Sequence, residues 1–475
     1  MVVAMVAAAG CGGLPAADDL AVDGRAIDGG AADGPPAVDA PPAIDAGYRV
    51  DVPGCDDLLD AVFTTPAGLP PLTPGERGAV VRCAAGELLD AAALQAAADD
   101  AGATIVATSG ARIVKLAYRT VRGDGSATVT TATAYLPTTP RALPVPVALV
   151  ARSTSGIADA CAPAREALPH ANQALPLAGL GYAVIAPDLA GLGNEGVHAY
   201  LDNHEAVAEL FDGARALERL IGPGLVGPPT VALGYSQGGG VVLSAQALEH
   251  ELTGRRTLRA VVAIAPEWPT RVGSFGYERV LRNPDTLTTF AGLSAPTVTV
   301  LRHYGWFANH LGADHAADSF PAAERGELVD EIERLCTVPL GGALDVQQPH
   351  LRDLVDDGFR TAMLACIDGT AGCVEPARSF HAWLLRDQVT ADAGGARVLV
   401  IAGLADQVMP AASEAACDVQ KLRNEGVVPD VCTDTFATHD TVLEAKIEHG
   451  LAWLDAVVTG GTPPTCQTLL PACTP

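Results

Sequence analysis

The sequence has no long apolar run, no basic stretch, no closely spaced cysteine pair and few aromatic residues, and each shortage removes a class of protein. No stretch of about 18 apolar residues runs uninterrupted, so no membrane-spanning helix is expected. The formal net charge is −26, from 56 acidic and 30 basic residues. With no basic stripe to offset that charge, phosphates are repelled and a nucleic-acid partner is excluded. None of the 11 cysteines stands in a C-x-x-C pair, so neither a zinc ribbon nor a dithiol redox motif is expected. Aromatics make up only 4% of the chain while alanine and glycine abound, a composition suited to helices packed closely on a sheet. A chain of 475 residues can build a large core and still carry an inserted subdomain.

The cysteines that are present point to export. Cys11 closes the run Met5-Val6-Ala7-Ala8-Ala9-Gly10-Cys11, which has the form of a lipoprotein signal over residues 1–11, cut before a cysteine that then takes lipid. No basic residue precedes it, and an incidental Ala-rich end or a misplaced start is the competing reading. Without Cys11 the cysteines number ten, enough for five disulfides in an oxidising compartment. Residues 12–52 are nearly all Ala, Asp, Gly and Pro, too poor in large apolar surface to offset the entropy of ordering, and are expected to form a linker.

Folded chain is expected from residue 53. A helical composition covers 86–101, and β-rich runs at Arg112–Arg122 and Ser126–Leu136 flank the turn Gly123-Asp124-Gly125. Apolar strands and periodic helices then alternate through Leu258–Ile264, and resume at Val398–Ala402. Such alternation predicts an α/β fold with a mostly parallel central sheet flanked by helices. The core would span 53–265 and 396–475. The interruption over 266–395 is too long for a loop and predicts an inserted, mainly helical lid.

Gly234-Tyr235-Ser236-Gln237-Gly238 matches G-x-S-x-G between an apolar strand and an apolar helix. A serine on that tight turn needs small residues two positions away on either side. The turn also aims the first N–H groups of the helix, notably that of Gln237, at a developing oxyanion. Ser236 is therefore the candidate nucleophile. A serine hydroxyl needs a base and the base an orienting acid, and in this arrangement they follow in the order Ser, Asp, His. Asp406 follows the strand Val398–Ala402, and His439 lies in the loop after the strand Asp430–Phe436, at the same edge of the sheet. His449 lies inside the last helix. His303, His310 and His315 lack the spacing of a metal pair, so no metal and no cofactor is expected.

Gly181–Asp188, Gly191-Leu192-Gly193, Gly234–Gly239 and Gly403–Asp406 resemble the secretory lipase family, of the fungal lipase-A type and its bacterial relatives. The resemblance covers about residues 105–460 and implies an α/β-hydrolase fold, a triad of Ser236, Asp406 and His439, and a lid over an acyl-binding tunnel. It also implies that Cys161, in Cys161-Ala162-Pro163, pairs with Cys336 of the lid. After Val145–Ala151 the chain reads Arg152-Ser153-Thr154, where many relatives have His-Gly, so the second oxyanion N–H is assigned to Arg152 or Ser153. The expected partner is a small-molecule or lipid ester, with membrane attachment through a lipidated Cys11. An aminopeptidase or acyl-peptide hydrolase, and a catalytically silent surface-binding protein, are the competing functions.

Overall fold

The computed structural model describes residues 48–268, 277–285, 295–348 and 350–473. Cys11 and most of the expected signal and linker lie outside them. Tyr48 donates its hydroxyl to the Pro137 carbonyl at 2.8 Å and Val52 is buried, so residues 48–52, assigned to the linker on composition, belong to the folded body.

The helix expected from residue 86 starts later. Strand β1 (Val80–Leu89) runs antiparallel to β2 (Ala111–Val121) as far as the pair Leu89↔Ala111, and α1 occupies Ala91–Asp100. Gly86-Glu87-Leu88-Leu89 tolerate a helix, but pairing across the sheet overrides so weak a preference. Asp90 marks the change, its carboxylate accepting the Ala93 N–H at 2.8 Å as an N-cap. β2 returns through Gly123-Asp124-Gly125 into β3 (Ala127–Pro137), paired from Val121↔Ala127 to Ala111↔Pro137.

The parallel part of the sheet follows. β4 (Val145–Ala151), α2 (Ala171–Gly179), β5 (Ala183–Pro187), α3 (Asn203–Ile221), β6 (Val226–Tyr235), α4 (Gln237–Thr253) and β7 (Ala260–Ile264) alternate as the composition predicts. After the insert come β8 (Arg397–Gly403), α11 (Ala415–Asn424), β9 (Asp430–Asp434) and α12 (His439–Thr459). The nine described strands take the order β1-β2-β3-β5-β4-β6-β7-β8-β9, and from β5 to β9 all neighbours are parallel. Strands buried on both faces explain their unbroken apolar runs, such as Val398-Leu399-Val400-Ile401. Alternate side chains of these strands feed two cores, one under α3, α4 and α11 and the other under α1, α2 and α12.

Between β7 and β8 the described residues form helices and no strand. They are α5 (Tyr277–Arg282), α6 (Ala295–Leu311), α7 (Arg325–Arg334), α8 (Thr337–Gln347), α9 (Asp357–Ile367) and α10 (Ala377–Arg386), with a single turn at Leu351–Leu354. Scarce aromatics gather here: Trp306, Phe307, Phe359 and Phe380 form the heart of a separate apolar core.

Five disulfides join the ten cysteines beyond Cys11: Cys55–Cys83, Cys161–Cys336, Cys366–Cys373, Cys417–Cys473 and Cys432–Cys466. The pairing of Cys161 with Cys336 is the one the family resemblance implies. No described helix is long and apolar enough to cross a membrane.

Candidate active site

β4 and β6 lie side by side, but β4 continues to β5 on one flank while the chain beyond β6 proceeds to the other. Loops leaving the carboxyl ends of two such strands part and leave a crevice between them, the usual ligand site of an open parallel sheet. Arg152 and Ser153 leave β4 there, and Ser236 leaves β6.

Ser236 has φ 56° and ψ −119°, a backbone state that side-chain-bearing residues seldom adopt. Its neighbours hold it there: its N–H donates to the Ile264 carbonyl at 2.9 Å, and its carbonyl accepts the Glu267 N–H at 3.0 Å. The turn is tight enough to demand the flanking glycines. A Cβ on Gly234 would lie 2.1 Å from the Gly238 carbonyl oxygen, and one on Gly238 would lie 2.1 Å from that of Ala151.

Three groups separated by up to 203 positions meet at this turn. His439 Nε2 is 2.9 Å from Ser236 Oγ, and His439 Nδ1 is 2.8 Å from Asp406 Oδ2. All three side chains are buried. The carboxylate decides the tautomer: with the ring proton on Nδ1, the imidazole donates to Asp406 and Nε2 accepts from the serine hydroxyl. Asp406 is fixed in turn, since its other oxygen accepts the N–H groups of Val408 at 2.9 Å and Met409 at 2.7 Å. His439 opens α12 rather than preceding it, with Thr438 as N-cap and a capping box to Thr441. An imidazole so placed can take a hydroxyl proton while the carboxylate stabilises the imidazolium that forms.

Gln237 opens α4, so its N–H belongs to a first turn that has no acceptor within the helix. The backbone at Ala151–Arg152 abuts that turn, as the Gly238 contact shows. Arg152 is buried and Ser153 half-buried, and both follow directly on β4. The histidines between β7 and β8 do not converge. His303 is enclosed between the Tyr277 hydroxyl (2.7 Å) and Ser319 (3.0 Å), His310 packs on Trp383, and His315 faces Asp318. His449 stands away from Ser236, beside Cys432 and Cys466, whose sulfurs are joined to each other.

Sequence reasoning passed over Tyr235. Its hydroxyl donates to the His439 carbonyl at 2.7 Å, yet as the variable position of G-x-S-x-G it carries no signal of its own. The Val408 and Met409 donors were equally invisible, because any residue but proline supplies a backbone N–H.

No family model and no curated protein sequence matches the chain. Solved structures do. A rice cell wall degrading esterase, LipA, from Xanthomonas oryzae is 17% identical with a TM-score of 0.58, covering 78% of this chain and 97% of its own. Lipase A from Candida antarctica in its closed state is 17% identical with a TM-score of 0.62, covering 88% of this chain and 90% of its own. At such identity the likeness is one of architecture, and it extends over nearly all of both relatives: the chain has the α/β-hydrolase fold, in the form that these lipase and esterase structures take.

Proposed function

We propose that the chain is a carboxylester hydrolase, a lipase or esterase, in which Ser236 attacks an acyl ester and forms an acyl-enzyme that water then cleaves. The observation that carries this reading is the pair of contacts at His439, 2.9 Å to Ser236 Oγ and 2.8 Å to Asp406 Oδ2. His439 takes the serine proton as the bond to the acyl carbon forms and returns it to the departing alkoxide. In the second half it takes a proton from the attacking water and gives it to Ser236 Oγ as the acyl bond to the serine breaks. Asp406 holds the ring and balances its charge. Gln237 and one of Arg152 and Ser153 offer N–H groups to the oxyanion. The helical insert over 266–395 serves as the lid.

The export reading draws support from the five disulfides, which persist in oxidising compartments. Cys11 as a lipid-bearing anchor belongs to the same proposal, at a bacterial surface or in the periplasm.

The test pairs a fluorophosphonate probe with a series of p-nitrophenyl esters of graded chain length, run beside aminoacyl-anilides. Covalent labelling at Ser236 and ester turnover are expected. Turnover of the anilides alone would favour a peptidase, and neither labelling nor turnover would leave a silent binding protein.

A further inference from the structure

Arg152 is 1% exposed, yet among the described residues only one of its guanidinium nitrogens has a partner. Nη2 donates to Ser155 Oγ, while Nε and Nη1 donate to nothing. The nearby carboxylate of Asp188 is engaged elsewhere, accepting from the Thr131 hydroxyl at 2.7 Å and the Ala164 N–H at 2.9 Å. Burial pushes the guanidinium down to about 10, which leaves it cationic at neutral pH. A buried charge with idle donors does not favour folding. Its retention calls for another explanation, and its surroundings offer one.

The side chain of Arg152 folds back onto its own loop. Ser155, which takes the Nη2 bond, gives its carbonyl to the Thr337 N–H of α8 at 3.0 Å, and Gly156 bridges to Cys336 beside it. Thr154 is tied to the Tyr200 hydroxyl at 2.8 Å, and the Tyr200 carbonyl accepts the Trp306 indole N–H at 2.8 Å. The lid thus grips loop 152–156 from outside, and the guanidinium braces it from within. On the other wall of the crevice, Gln237 Nε2 lies 3.3 Å from His198 Nε2. His198 is buried, and the charges of Arg152 and Arg122 further disfavour its protonation, so the ring stays neutral and Nε2 can accept from the amide. The guanidinium thus braces the wall that carries the Arg152 and Ser153 N–H groups, while His198 backs the other.

We propose that Arg152 is a positioning residue of the oxyanion hole, bracing through Ser155 the loop that carries one of the two donor N–H groups. The inference rests on the reading that Ser236 attacks an acyl ester. Both walls must be held within a fraction of an ångström of the productive geometry for the donors to meet an oxygen that exists only in the transition state. A loose wall therefore lowers kcat and leaves ground-state binding nearly untouched.

The experiment measures kcat and KM on a p-nitrophenyl ester, together with Tm, for the full chain and for Arg152→Ala, Arg152→Lys and Ser155→Ala. Arg152→Ala should lose on the order of 10²-fold in kcat, about the effect of losing one oxyanion donor, with KM within about threefold. Arg152→Lys and Ser155→Ala should each fall about tenfold, by loss of the planar fork or of its acceptor. Millimolar methylguanidinium should restore part of the Arg152→Ala rate and none of that of Ser236→Ala. Unchanged kcat in Arg152→Lys and Ser155→Ala overturns the inference, whether or not Arg152→Ala folds, as does a drop in Tm without a drop in kcat. A wild-type chain that neither turns over esters nor takes up fluorophosphonate overturns the functional reading and this inference with it. An active wild type with indifferent variants overturns the inference alone.

Discussion

Tyr235 and His439 touch twice: the phenol hydroxyl donates to the His439 carbonyl at 2.7 Å, and the two rings lie 5.2 Å apart at 34°. The residue before the candidate nucleophile therefore holds the backbone and the ring of the candidate base. A half-buried hydrogen bond of this kind contributes about 1 kcal/mol. If the loss falls wholly on placement of the imidazole, Tyr235→Phe lowers kcat roughly fivefold at constant KM. Tyr235→Leu, which also removes the ring contact, should fall further. Steady-state kinetics on a p-nitrophenyl ester check both, and a rise in KM at constant kcat would assign Tyr235 to substrate binding instead.

The triad variants should behave as one unit. Ser236→Ala and His439→Ala should each lower kcat by ~10⁴–10⁶-fold, and the double variant should be no worse than either. Asp406→Asn has a more specific expectation. The amide oxygen can replace Oδ1 in accepting from Val408 and Met409, which turns the NH₂ group toward His439 Nδ1. That forces the ring proton onto Nε2, where it can no longer accept from Ser236. A loss of ~10³–10⁴-fold follows, with fold and Tm little changed. Circular dichroism beside kinetics separates this from unfolding.

Ser236, Asp406 and His439 could be picked from the sequence because each follows the carboxyl end of a strand, strongly apolar for β6 and β8 and only weakly so for β9, and in a parallel sheet all such ends share one edge. The same logic reaches no further than the strand ends. It places Arg152 in the crevice through the position of its backbone, but where a guanidinium points depends on Ser155 and on the nearby Asp188, which strand periodicity does not bring together. β1 was hidden for another reason. Val80–Leu89 includes Cys83-Ala84-Ala85-Gly86, too weakly apolar to announce a strand, and only its pairing with β2 makes it one. Cys161 and Cys336 lie 175 positions apart, and only the family resemblance joined them before the fold did.

Stability should fall as pH rises through the neutral range. Glu209 is buried in α3, and desolvation, with Glu205 nearby, pushes its carboxyl up to about 8. Burial beside Asp387 and Glu205 pushes Asp202 up to about 8 as well. An acid whose pKa is raised by folding adds no penalty while it is neutral in both states. Above the ordinary carboxylate range the unfolded chain ionises and the folded one does not, so stability declines until the folded pKa is passed. Each group removes up to ~1.4 kcal/mol per pH unit across that window. Tm should therefore drop between about pH 5 and pH 8. Gln at position 209 can still accept from the Ala190 N–H, which Glu209 holds at 2.9 Å, but it cannot ionise. Glu209→Gln should flatten the decline, and its Tm deficit at pH 5 should shrink at pH 8. Parallel slopes for the two proteins would show that Glu209 is not the group responsible.

Two disulfides in or at the helical segment between β7 and β8 should differ in what their removal does. Cys366–Cys373 closes a loop of 7 positions within that segment, whereas Cys161–Cys336 spans 175 and joins the segment to the chain after β4. None of the other four disulfides interleaves with that long loop or shortens it. In the chain-entropy account the long loop restrains the unfolded state by roughly 5 kcal/mol and the short one by roughly 2. Replacing Cys161 and Cys336 by alanine should therefore lower Tm more than replacing Cys366 and Cys373. It should also expose the segment between β7 and β8 to limited proteolysis, because the contact of Thr337 N–H with the Ser155 carbonyl would then stand without its covalent neighbour. Calorimetry under non-reducing conditions gives the ranking. The reverse order would mean that native contacts within this helical segment, rather than the freedom of the unfolded chain, govern how these bonds stabilise the protein.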